Sequence, residues 1–155
     1  MIIRVAALDV GVKTIGVAVT DESGLIASPI GTIARKQSIY DDLDKLKLLL
    51  EPYFPLTAIV LGWPLTADGH EGKMVELVRG FEKRVALHFP DVPLFREDER
   101  FSTDEATQHL ARHAGNKRKQ KKSGRLDAVA AAVILTRFLE SAQGERVLKD
   151  WNHTP

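Results

Sequence analysis

Residues 2–10, IIRVAALDV, are apolar on both faces of an extended chain, and no other stretch limits the fold as strongly. A strand bearing Ile2, Ile3, Val5, Ala6, Ala7, Leu8 and Val10 has no side to turn to water. It belongs at the centre of a sheet covered on both faces. Within this run sits an acid, Asp9. A carboxylate taken out of water is costly unless something offsets its lost hydration. Asp9 is therefore either a hydrogen-bonded structural group or a site of chemistry.

The following elements extend that sheet. Residues 15–21 read as a second strand and 25–33 as a third, with Pro29 placing the third at an edge. Turns as short as GVKT and ESG join antiparallel neighbours. The apolar period then becomes helical. Ser38 can cap a helix that puts Ile39, Leu43, Leu46 and Leu50 on one face. A fourth strand is expected over 56–63, and a helix over 71–88 with Met74, Leu77, Val78, Phe81 and Val85 on one stripe. A fifth strand is expected over 92–97. Ser102 and Glu105 have capping-box spacing, which starts a third helix near Thr103. The segment 125–141 is an alanine-rich helix able to pack closely on a sheet, and 143–155 has no clear assignment. The order βββαβαβαα predicts an α/β fold: a mixed five-stranded sheet, three antiparallel strands then helix-linked parallel ones, with helices on both faces.

A chain of 155 residues is one ordinary domain over 1–155 and can bury a full core. The absence of cysteine excludes a disulfide scaffold and Cys-ligated zinc or iron–sulfur sites. No apolar run approaches transmembrane length and no secretory leader is evident, so a cytoplasmic protein without a membrane partner is expected. The net charge of +1 gives no global attraction to nucleic acid. Its distribution does, because Lys117, Arg118, Lys119, Lys121, Lys122 and Arg125 form a basic run without an acid among them. A solvated loop would read the same way. His109 and His113 lie four apart but lack a third partner, as an ordinary surface pair would.

The acids can be placed on this layout. Alternation along the first strand puts Val5, Ala7 and Asp9 on one face. Asp127 shares a helical stripe with Ala130, Ala131 and Ile134, the stripe that should face the sheet. Asp9 and Asp127 can converge, and one acid of Glu97, Asp98 and Glu99 can join them from the end of the fifth strand, where open α/β sheets form their sites. Converging carboxylates repel unless a cation lies between them. An all-oxygen set suits Mg²⁺ or Mn²⁺ rather than zinc. Two such ions can stabilise the attacking and leaving oxygens of a phosphodiester displacement. Each acid taken singly also has an ordinary reading: the helix dipole favours Asp127, and Glu99 suits a solvated loop.

Four segments in order, LDVGVKTIGVAVTD, VLGWPLTADGHEG, DERFST and LDAVAAAVILTRFL, resemble the YqgF/RuvX family across most of the chain. The resemblance implies a ribonuclease H-like fold and a nuclease of Holliday junctions or of pre-16S rRNA. It implies Asp9, Glu99 and Asp127 as the catalytic, metal-binding set, which selects Glu99 from its neighbours. It gives Gly62, Pro64, Gly69 and Gly72 the shaping of a loop beside the site, with Gly11 leaving room at the first turn. The family often carries a basic residue where Thr14 stands, which leaves the phosphate contact there to Lys13, with Arg100 as a second cation. The expected partner is branched DNA or precursor rRNA. A junction resolvase would need two symmetric sites, hence a homodimer. Two rival classes are a noncatalytic nucleic-acid or ribosome-assembly protein and an ATP-binding protein of the actin and sugar-kinase type. The latter needs a second domain for which this length leaves no room.

Overall fold

The computed structural model describes residues 2–36, 38–113 and 125–152, without the side chains of 109–113 and 152. Five strands, β1 (Val5–Val10), β2 (Thr14–Thr20), β3 (Ala27–Ala34), β4 (Ala58–Trp63) and β5 (Leu94–Asp98), form one sheet in the order β3-β2-β1-β4-β5. The first three are antiparallel, while β4 and β5 run parallel to β1. The expected mixed sheet is therefore present, with β1 central and β3 at an edge. β1 is shorter than its apolar run. Ile3 makes only an isolated bridge to Ser23. Pro29 sits beside an irregularity in the β2–β3 register, at an edge where its missing N–H costs nothing.

Among the described residues, five α-helices pack on or beside this sheet: α1 (Ile39–Leu50), α2 (Lys73–His88), α3 (Ser102–His113), α4 (Arg125–Glu140) and α5 (Ala142–Asn152). Ser38 caps α1 by accepting from Asp41 N. Leu43, Leu46 and Leu50 of α1 and Val75, Val78, Phe81 and Val85 of α2 cover one face of the sheet, against Leu8, Val10, Ile59 and Leu61. The predicted α2 stripe is displaced at its start. Val75 is buried and Met74 is exposed, because the helix begins at Lys73 and turns Val75 toward the sheet. Ala131, Ile134, Leu135 and Phe138 of α4 cover the other face, against Val5, Ala7, Ala18, Ala58 and Val60. Both faces of β1 are thus dry, as its sequence requires.

Three further expectations change. The capping box does not form. α3 starts at Ser102 itself, whose N–H donates to Glu99 O, and the Glu105 carboxylate is engaged by Arg137 instead. The unassigned tail forms helix α5 through residue 152, tied back to the start of the chain by Trp151 Nε1 donating to Ile2 O at 2.9 Å. Gly62 lies within β4 rather than in the loop after it.

Candidate active site

Asp9 stands near the C-terminal end of β1 on the face that α4 covers, and it has glycine on both sides. Across β2 it is in register with Gly16. On β4, one step beyond the Leu8–Leu61 pair, its neighbour is Gly62. Each glycine lets another acid approach. A Cβ on Gly16 would lie 2.0 Å from the Asp127 carbonyl oxygen, so the first turn of α4 rests directly on the β2 backbone. A Cβ on Gly62 would lie 2.5 Å from Glu99 Oε2, so the Glu99 side chain crosses β4 at this point to reach Asp9. A glycine inside a strand is a known sign of close approach. Gly16 carries that sign in the sequence, and its partner could not be read from it.

The carboxylates of Asp9 and Glu99 meet in side-chain contact. Burial pushes the Glu99 carboxyl up to about 9, aided by the charge of Asp9, its contact with it, and the charge of Asp98. Burial also raises Asp9 above its ordinary value; contact with Glu99 lowers it and the charge of Asp127 adds to the rise. Two acids in contact under these conditions hold a proton between them when no cation is bound. Asp127 is close enough for its charge to act on Asp9, but its Oδ2 accepts from Thr14 Oγ1 at 2.9 Å. Among the described residues, no group of three His, Cys, Asp or Glu side chains is arranged to hold one ion. The structure brings Asp9 and Glu99 together and leaves Asp127 beside them on Thr14.

Residues with oxygen donors only, two raised carboxyls and a buried Glu99 Oε2 that has no hydrogen-bond partner fit a hard divalent cation. Magnesium typically takes one or two carboxylates and completes its shell with water and substrate phosphate. The Asp9–Glu99 pair meets that need by itself.

The neighbouring acids have other roles. Burial alone would raise Asp98, but hydrogen bonds from Arg100 N and Nε at 2.9 and 2.7 Å, with the charges of Arg100 and Arg137, bring it below its ordinary value. Glu97 is raised by burial and by the charge of Asp98. Arg100, expected at phosphate, is therefore paired with Asp98 and lies against Gly69, where a Cβ would be 3.2 Å from its Nη1. Gly69 has φ +89°, a conformation glycine adopts without strain. Pro64 and Gly72 bracket the loop it shapes, which closes through the Leu65–Glu71 bridge.

The β1–β2 turn carries Lys13 exposed at its tip. The turn is fixed by Gly11 N donating to Thr14 O at 2.8 Å, with a Cβ on Gly11 lying 3.2 Å from that oxygen. Arg35 ties it from outside. Its N–H donates to Lys13 O and its Nη1 to Gly11 O, both at 2.8 Å, and its Nε pairs with buried Asp42 at 2.9 Å. Nothing in the sequence distinguished Arg35 from other surface cations. Arg125 is exposed at the start of α4. Lys117, Arg118, Lys119, Lys121 and Lys122, and the side chains of His109 and His113, lie outside the described residues.

A family model described as "RuvX: Holliday junction resolvase" matches residues 3–141. The chain belongs to the RuvX family. Among curated relatives, a protein of Salinibacter ruber named "Putative pre-16S rRNA nuclease" is 41% identical over 88% of this chain and 92% of its own length. A protein of the same name from Syntrophus aciditrophicus is 37% identical over 95% of each. Among solved structures, T. thermophilus RuvC in complex with a Holliday junction substrate superposes with a TM-score of 0.57 at 16% identity, covering 91% of this chain and 97% of that one. This RuvX chain thus has the ribonuclease H-like fold anticipated from the four motifs. None of the described helices is long and apolar enough to cross a membrane.

Proposed function

We propose that this chain is a divalent-metal-dependent endonuclease that hydrolyses phosphodiesters of precursor 16S rRNA in the cytoplasm. The observation that carries the reading is the contact between Asp9 and Glu99 across Gly62, with a buried carboxylate oxygen left unpartnered. Mg²⁺ or Mn²⁺, when bound, supplies the positive charge that activates water and stabilises the leaving oxygen. Asp9, which lies between the other two acids, would help to hold the cation. Glu99 holds its oxygens over Gly62, and Asp127 completes the set from the start of α4. The dry floor of Val5 and Ala7 beneath Asp9 keeps bulk water from the protein side of the site. Lys13 at the turn tip and the basic run of 116–125 engage backbone phosphates, contacts that position a strand without reading its sequence. Arg100 orients the Glu99 loop through Asp98 and can reach phosphate only by leaving that pair.

Precursor rRNA is favoured as substrate because the relatives matched over nearly their full length carry that name. The family description favours a second reading, a four-way DNA junction, which would require a homodimer to present two sites. A single cleavage panel separates them: four-way junction, duplex DNA, single-stranded RNA and a pre-16S fragment, with Mg²⁺ and Mn²⁺. Asp9→Asn should abolish cleavage while binding persists. Normal cleavage by Asp9→Asn would refute the mechanism, and cleavage confined to the junction would refute the RNA reading.

A further inference from the structure

Phe101 breaks three local rules at once. The residue is 58% exposed, and it belongs to none of the apolar clusters formed by the described residues. Its φ is +64°, and among the described residues it alone has positive φ without being glycine. It directly precedes α3 and accepts the helical hydrogen bond from Glu105 N at 3.0 Å. That place ordinarily goes to Ser, Thr, Asp or Asn, whose side chains cap a helix. A glycine here would relieve the backbone. Its place outside the apolar clusters and its strained backbone leave the choice of phenylalanine unexplained by the core.

The surrounding loop is nevertheless held rigidly. Glu99 N donates to Trp63 O at 3.2 Å and Ser102 N to Glu99 O at 3.0 Å. Arg137 Nη1 donates to Arg100 O at 2.6 Å, and Asp98 binds Arg100 through both backbone and side chain. The backbone that carries the exposed Phe101 is thus held two residues from Glu99. Strained backbone that the surroundings over-determine is a recurring sign of a working residue. An exposed aromatic side chain on a held backbone two residues from Glu99 has one obvious complement in a nucleic-acid substrate, the flat face of a nucleobase, which every base presents.

We propose that Phe101 is a substrate-positioning residue whose ring stacks on a nucleobase next to the phosphate presented to Asp9 and Glu99. The proposal rests on the nuclease reading and extends it. Stacking of one base by an aromatic side chain corresponds to a roughly 5- to 150-fold change in affinity.

The test is equilibrium binding of a pre-16S RNA fragment and a four-way DNA junction to full-length protein carrying Asp9→Asn, with Phe101 kept or changed to Ala, Gly, Leu or Trp. Phe101→Ala and Phe101→Gly should weaken binding of the cleaved substrate within that range. Melting temperature should be unchanged in the first and equal or higher in the second, since glycine accepts positive φ. Phe101→Leu, apolar but without a π face, should not restore affinity. Phe101→Trp should restore it and show indole fluorescence quenched by the nucleic acid relative to the Phe101 parent. Equal affinity of the Ala variant and the parent, or full rescue by Leu, overturns the proposal. So does a change of oligomeric state in the Ala variant with affinity per site unaltered, which would assign the ring to a protein interface. If the Phe101 parent binds neither nucleic acid, the nuclease reading itself fails, a result distinct from all of these.

Discussion

Thr14 Oγ1 donates to Asp127 Oδ2 at 2.9 Å, joining the start of β2 to the first turn of α4 across 113 positions of sequence. This bond orients the acid that stands apart from the Asp9–Glu99 pair. Thr14 is also the position at which the chain departs from the basic residue its motifs would suggest. A hydroxyl here donates to the acid, whereas a basic side chain would be available to phosphate.

Thr14→Val keeps the shape of the side chain and removes the donor. The partly exposed pair should cost about 1 kcal/mol of stability, the ordinary worth of such a bond. With Asp127 released, the Mg²⁺ concentration for half-maximal cleavage should rise several-fold. Urea unfolding and a metal titration of the same variant measure both. An unchanged metal requirement would mean that Thr14 does not orient Asp127 for catalysis.

Gly16 and Gly80 make a matched pair of tests. A Cβ on Gly16 would collide with the Asp127 carbonyl at 2.0 Å, whereas one on Gly80, inside α2, would meet nothing within 4 Å. Gly16→Ala must push α4 away from the sheet and should cost at least ~3 kcal/mol, beyond the usual range for overpacking because the obstacle is backbone. Gly80→Ala should stabilise by ~0.5–1 kcal/mol through helix propensity. Denaturant midpoints with unchanged slopes would establish both values.

Gly62→Ala acts on chemistry more than on folding. Its Cβ would meet Glu99 Oε2 at 2.5 Å and Ile134 Cδ1 at 2.7 Å, both ends of flexible side chains. Stability should fall by less than ~2 kcal/mol. Cleavage should fall about 100-fold or more, because displacing Glu99 removes one of two converging ligands. Retained activity alongside a large loss of stability would reverse the assignment of Gly62.

The raised carboxyls give a pH dependence of defined sign. Glu99 titrates at about 9 in the folded protein against an ordinary value of 4.5, and Asp9 is raised in the same direction. The folded form therefore binds protons that the unfolded chain has released, and stability declines as pH rises through that interval. In a chelator, unfolding midpoints should fall steadily from about pH 5 to about pH 9. Glu99→Gln should flatten the decline. Added Mg²⁺ should stabilise the native enzyme most at the high end, where it replaces the missing proton. A flat profile for the metal-free native protein would show that the two acids do not share a proton.

The sequence by itself determined the sheet. An apolar run without a polar face forces β1 to the centre, short turns force antiparallel neighbours, and a change of period marks where helices begin. Asp9 was legible for the same reason, since an acid among Leu8, Val10 and Ala7 demands an explanation. Local pattern misled where long-range partners compete. Glu105 has the spacing of a cap but is taken by Arg137, and α5 depends on contacts with the opposite end of the chain. Spacing alone could not tell which acid of three reaches Asp9; the four motifs pointed to Glu99 by resemblance, and the tertiary structure gives the physical reason. Glu97, Asp98 and Glu99 are equivalent as a string of charges. Only the fold gives Asp98 to Arg100 and sends Glu99 across Gly62. It also decided why Gly16 must be glycine, because the atom that would collide with its Cβ belongs to a residue 111 positions away. Periodicity records which face is dry, whereas the meeting of distant side chains depends on how whole elements dock.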